Sequence, residues 1–247
     1  IDADGMGAVW SCHNCSWDGG VSCRRQEFMP RPAPKPYTKP KPTSGDLSEK
    51  AIEWFKGRGI SEKTLARYKI KSGPHWMPAE NAEVSTIQFP YFRAGELVNT
   101  KYRSAAKNFA QVKGAEKILY GLDDIAGHEI IIVTEGEIDT LSLAEIGITN
   151  VVSVPDGAPK EVKDDPIIPG EDTKFSYLWN CREELSAATK IILACDADGP
   201  GQALTEELAR RLGKEKCWRV TWPTVNDAPR KDANEVLVSD GADVLRE

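Results

Sequence analysis

The clearest pattern in the chain begins at Glu129, where short apolar runs alternate with segments of helical spacing. Glu129-Ile-Ile-Ile-Val133 has no polar alternation, as expected of a strand buried on both faces. Ile138, Leu141 and Ile146 follow at helical intervals up to Gly147. The rhythm repeats with a strand over 150–154, a helix around Phe175 to Leu185, a strand over 190–195, a helix from about Gln202 to Leu212 and a strand over 216–222. Strands separated by single helices predict right-handed crossovers, hence a parallel sheet with helices on both faces. Such sheets place their sites at the carboxyl ends of the strands.

The rhythm upstream is different. Asp46-Leu-Ser-Glu49 has capping-box spacing and opens a helix through Ala51, Ile52 and Phe55, which stops at Gly57 to Gly59. Ser61 starts a second helix carrying Leu65 and Tyr68, and residues 85–103 read as a β-hairpin turning at Arg93-Ala-Gly-Glu96. Composition shifts then divide the chain into four parts: a Gly-rich, Cys-bearing segment over 1–29, a linker over 30–46, a small α+β unit over 47–128 and the α/β domain over 129–247. The linker, rich in proline and bearing Arg31, Lys35, Lys39 and Lys41, is expected to be extended, mobile and basic.

With 247 residues, 40% of them hydrophobic, the chain can bury a real core. No apolar run approaches the roughly 18 residues of a membrane span, and no signal-peptide pattern opens the chain, so neither a secreted nor a membrane protein is expected. The net charge of −6 excludes a general basic coat, so any nucleic-acid contact must be local. Cys181, Cys195 and Cys217 lie in apolar or helical contexts and should be buried, reduced thiols.

Chemistry concentrates where strands end in acid. Glu135 follows the first strand of the α/β domain, and Asp196 and Asp198 follow the 190–195 strand, before glycines that allow a sharp turn. Alternate residues of an extended segment point the same way, so Asp-x-Asp can turn both carboxylates on one ion. Carboxylate oxygens suit Mg²⁺, and crowded carboxylates repel unless a cation lies among them. Glu137 and Asp139 read instead as acids favoured at a helix N-terminus.

Glu135-Gly-Glu137 after one strand and Asp196-x-Asp198-Gly after another resemble the two signatures of the toprim domain. Lys231-Asp-Ala-Asn-Glu235 resembles the acidic segment of primases joined to a ring helicase, the phage primase-helicase and organellar Twinkle type. The similarity extends over 58–68, 89–103, 107–109, 119–125 and 153–159. It implies a DNA primase, a nucleotidyltransferase making short RNA primers on single-stranded DNA from ribonucleoside triphosphates. Asp196, Asp198 and Asp232 would be ligands of Mg²⁺ or Mn²⁺, and Glu135 a ligand or proton acceptor. Lys101, Arg103, Lys107, Lys113 and Lys117 form a basic ridge aligned with the part of the family that binds template and nucleotide. The rival readings are a toprim nuclease and a single-strand-binding module without polymerase activity.

Cys12-His-Asn-Cys15 has the form of one knuckle of a zinc ribbon, but Zn²⁺ needs a second pair, so a partial ribbon is expected. The chain begins with Ile and has no Gly-x-x-x-x-Gly-Lys-Ser/Thr loop. Both features suggest a primase half, cut within its ribbon and separated from the ring helicase that would be its partner, and a monomer. The expected setting is the cytoplasm of a bacterium or phage-infected cell, or a mitochondrion or plastid if the chain is of the organellar type.

Overall fold

The computed structural model describes residues 7–11, 18–22, 36–42, 45–163, 165–225 and 227–247. A short antiparallel hairpin, β1 (Gly7–Ser11) and β2 (Asp18–Ser22), leads the chain. Cys12 and Cys15, the partial zinc knuckle, lie outside the described residues, as do Arg31 and Lys35 of the linker. Residues 36–42 of that linker have no regular structure, yet they are tied to the fold. Thr38 N–H donates to the Gly114 carbonyl at 2.9 Å, Pro40 is buried, and Lys39 reaches Glu96 at 3.4 Å. Prolines forbid the regular ladder, but their rings can still pack.

Two helices follow, α1 (Glu49–Lys56) and α2 (Glu62–Arg67). The cap of α1 is Ser48, whose hydroxyl accepts from Ala51 N–H, rather than Asp46. Ser61 precedes α2 without capping it through its own side chain; the Glu145 carboxylate takes that role, accepting from Ser61 N–H at 3.0 Å, Ser61 Oγ at 2.9 Å and Thr64 Oγ1.

The expected hairpin is the centre of a four-stranded antiparallel sheet, ordered β3 (Lys71–Met77), β4 (Ala82–Arg93), β5 (Glu96–Ser104) and β6 (Phe109–Gln111). Pro74 in β3 is compatible with its place at the sheet edge.

The second sheet is parallel throughout, with β7 (Ile130–Thr134) and β9 (Lys190–Ala194) central, β8 (Val151–Ser153) beside β7 and β10 (Cys217–Arg219) beside β9. The crossover helices are α3 (Glu137–Glu145), the short pair α4 (Ser176–Asn180) and α5 (Arg182–Leu185), and α6 (Gly199–Leu212). Two further helices, α7 (Ala233–Ser239) and α8 (Ala242–Arg246), close the chain. Ile131, Val133, Ile191 and Leu193 pack with Leu178, Leu185, Leu204 and Leu208 in the main core, while Ile132 joins a smaller cluster with α3, α7 and α8. Contrary to the buried strand expected from its sequence, β7 begins with Ile130 46% exposed, because that second cluster does not reach the start of the strand. Cys181, Cys195 and Cys217 are buried free thiols.

The main core is continuous across residues 128 and 129: Phe55, Leu65, Phe89, Tyr91 and Tyr120 belong to the same cluster as Ile131 and Leu141. Tyr120 also adds a bridge to the outer edge of β8, exchanging both backbone hydrogen bonds with Ser153 at 3.0 and 3.1 Å. No described helix is long and apolar enough to cross a membrane.

Candidate metal and nucleotide site

The acids meet at the carboxyl edge of the parallel sheet. Thr134 of β7 lies in register with Ala194 of β9, so Glu135 and the Cys195-Asp196 segment leave the sheet side by side. The Asp196 backbone N–H favours the charged form of the Glu135 carboxylate. Asp198 caps α6, accepting from Gly201 N–H at 2.9 Å, and Asp232 caps α7, accepting from Glu235 N–H at 2.8 Å. Any side chain at position 201 would collide with the Asp196 carbonyl, so the Asp-x-Asp loop is folded tightly over the start of α6. The Lys231 carbonyl accepts from Ala197 N–H at 2.8 Å, which holds the Asp232 segment beside that loop.

Crowding leaves its mark on the protonation of these groups. Burial, then the charges of Asp196 and Asp198, push Glu135 up to about 7 against the pull of Lys231. Burial likewise raises Asp196, opposed by Lys231. Asp198 is held below the usual range, chiefly by the Gly201 N–H. Asp139, in the first turn of α3, is buried and raised well above the carboxylate range by desolvation and then by Asp232 and Asp196. It is therefore a fifth member of the cluster rather than a solvated helix-terminal acid. The sequence signal for it was its position one turn beyond Glu135, which keeps it at the same strand-to-helix junction.

Glu137 is buried too but serves a different purpose. Lys101 Nζ lies 2.8 Å from its Oε1, and Tyr91 Oη donates to the same oxygen at 2.5 Å. Lys101 is thus an internal ion-pair partner, in a stretch of β5 that is buried from Asn99 to Tyr102. Lys117 is engaged as well, at 2.7 Å from Asp156. Lys107 and Lys113 are exposed. Glu116, the one acid between Lys113 and Lys117, pairs with Arg93 at 2.6 Å.

Arg103 is half-buried, its guanidinium 4.5 Å from the centre of the Trp54 ring, and the Arg58 guanidinium lies 4.2 Å from the same centre. Among the described residues neither guanidinium has a carboxylate in ion-pair contact, and Arg103 is lowered by burial and then by Arg58. Arg58 Nη1 donates to Asn234 Oδ1 at 3.0 Å, and Asn234 N–H donates to Asp139 at 3.1 Å. That chain of bonds sets Arg58 beside the acidic cluster, and Arg58, from the turn after α1, had no role assigned from sequence.

Comparison with known proteins supplies the family. The toprim domain model matches residues 129–221. The whole chain is 45% identical to the primase homolog protein of Arabidopsis thaliana, covering 73% of it. The chain belongs to the toprim DNA primases. It is also 44% identical to the chloroplastic/mitochondrial Twinkle homolog protein of the same plant, but spans only 35% of that relative's length. The primase fragment of the bacteriophage T7 primase-helicase shares the fold, with a TM-score of 0.60 and 22% identity over 96% of this chain and 88% of that one.

Toprim primases use divalent metal, and the donor chemistry of these residues suits one. Glu135 Oε2 is buried with no hydrogen-bond partner, and hard oxygen donors crowd around it with raised proton affinity. Among the described residues no three of these acids stand close enough to hold an ion as they are. Lys231 Nζ instead spans two of them, 2.8 Å from Asp196 and 3.1 Å from Asp198.

Proposed function

We propose that this chain performs Mg²⁺-dependent addition of ribonucleotides to RNA primers on single-stranded DNA. The observation that carries this reading is the convergence of Glu135, Asp139, Asp196, Asp198 and Asp232 on one sheet edge, with Arg58 bonded in through Asn234 and Arg103 packed on the same Trp54 ring. Asp196, Asp198 and Asp232 are the proposed ligands of Mg²⁺ or Mn²⁺, which when bound supplies Lewis-acid stabilisation of charge on the reacting phosphate. Glu135, poised near neutrality, is suited to accept the proton of a primer 3′-hydroxyl. Arg58 and Arg103 hold the triphosphate, their geometry fixed by Trp54 and Asn234. Lys107 and Lys113, exposed in the loops on either side of β6, meet the template backbone.

The named setting of the Twinkle homologue supports a mitochondrial or plastid location over a bacterial one. The likeness to the Twinkle type, whose primase is joined to a ring helicase, supports such a helicase as the functional partner. Primer synthesis from ribonucleotides on single-stranded DNA, with Mg²⁺ and with chelator, tests the reading. Products that depend on Mg²⁺ and vanish in Asp196→Asn are expected. Single-strand binding without any product in Mg²⁺ or Mn²⁺ would reduce the chain to a binding module.

A further inference from the structure

Lys231 is the one cation within ion-pair distance of the proposed metal ligands among the described residues. Its backbone is fixed independently of its side chain: its carbonyl accepts from Ala197 N–H at 2.8 Å and its N–H donates to Glu235 Oε2 at 2.6 Å. The ammonium therefore sits over the Asp-x-Asp pair because the loop places it there. Its side chain is half-exposed, so it has an open path outward.

We infer that Lys231 is a built-in competitor for the metal: it neutralises Asp196 and Asp198 in the metal-free protein and swings out when a divalent ion takes those oxygens. The inference rests on reading this cluster as a metal site. An ammonium donates to carboxylates at 2.8 to 3.1 Å and cannot share the same oxygens with a hard cation that demands an octahedral shell. The two states are mutually exclusive, and the energy of one is subtracted from the other. The lysine lets the site fold without an ion, where bare carboxylates would repel, and it weakens metal binding by the worth of the contacts that must break.

The test compares the whole chain with Lys231→Met, which keeps the length and removes the charge, and with Lys231→Arg, which keeps the charge. Mn²⁺ binding is followed by calorimetry or by electron paramagnetic resonance, and thermal unfolding is measured with chelator and with saturating Mg²⁺. Lys231→Met should bind Mn²⁺ roughly fivefold tighter than the parent. It should be less stable than the parent in chelator and at least as stable in Mg²⁺, while Lys231→Arg should gain no affinity. A lysine that merely supports the loop would lower stability in both conditions and leave affinity unchanged, which overturns the inference. If no variant binds Mn²⁺, the metal reading itself has failed, and the inference with it.

Discussion

At the scale of single residues, the site asks for substitutions that separate chemistry from folding. Asp198 is both a proposed ligand and the cap of α6. Asp198→Ala should cost about 1 kcal/mol of stability from the lost cap, whereas Asp198→Asn keeps an acceptor for Gly201 N–H. Both should abolish nucleotidyl transfer, but only the alanine variant should melt measurably earlier. Lys101 makes the opposite point. Its removal leaves Glu137 buried and short of a cation, so Lys101→Met should cost about 3 kcal/mol, read by denaturant unfolding, and much of that should return when Glu137→Gln is added. Arg103→Ala is expected to weaken single-stranded DNA or nucleotide binding with little loss of stability, the defect shrinking as salt rises. Equal affinities at low salt would remove Arg103 from the binding surface. The placement of Glu135, Asp196 and Asp198 at strand ends was legible because strand and turn signals flank them. The burial of Lys101 was not, since the sequence of a strand does not say which layer covers it.

At the scale of elements, apolar runs and glycine stops marked most of the parallel sheet, and failures came where packing overrode composition. β3 contains Gly73 and Pro74 and was invisible as a strand until paired with β4. The 216–222 strand was expected too long, because only Cys217–Arg219 pairs with β9. The capping of α2 by Glu145 is wholly tertiary, joining residues far apart in sequence. Burial raises the Glu145 carboxyl, but hydrogen bonds from Thr64 and Ser61 outweigh it and hold it below its ordinary value. A depressed folded pKa means stability that is full above about pH 5 and fades as the pH falls through the folded value. Glu145→Gln should therefore cost about 1–2 kcal/mol at neutral pH and progressively less as the pH is lowered into the acid range, measured by urea unfolding along the series.

At the scale of the whole molecule, the core that joins Phe55, Phe89 and Tyr120 to Ile131 and Leu141 couples the α+β part to the parallel sheet. Unfolding of residues 36–247 should be one transition, with tryptophan fluorescence and far-ultraviolet circular dichroism coinciding. Separate midpoints would show that the two parts are energetically independent.

The Tyr120 bridge to Ser153 has a further consequence for solubility. β8 is an edge strand of two valines and a serine, and its outer hydrogen-bonding groups are occupied at Ser153 by a residue from the preceding unit. A fragment cut at 128/129 would keep the strand and lose its cover, presenting free donors and acceptors on an apolar ribbon that identical copies can extend. Residues 129–247 alone should then self-associate, seen as growing light scattering with concentration, while the chain that retains Tyr120 stays dispersed. The tyrosine segment thus works as a stopper against fibre-like stacking.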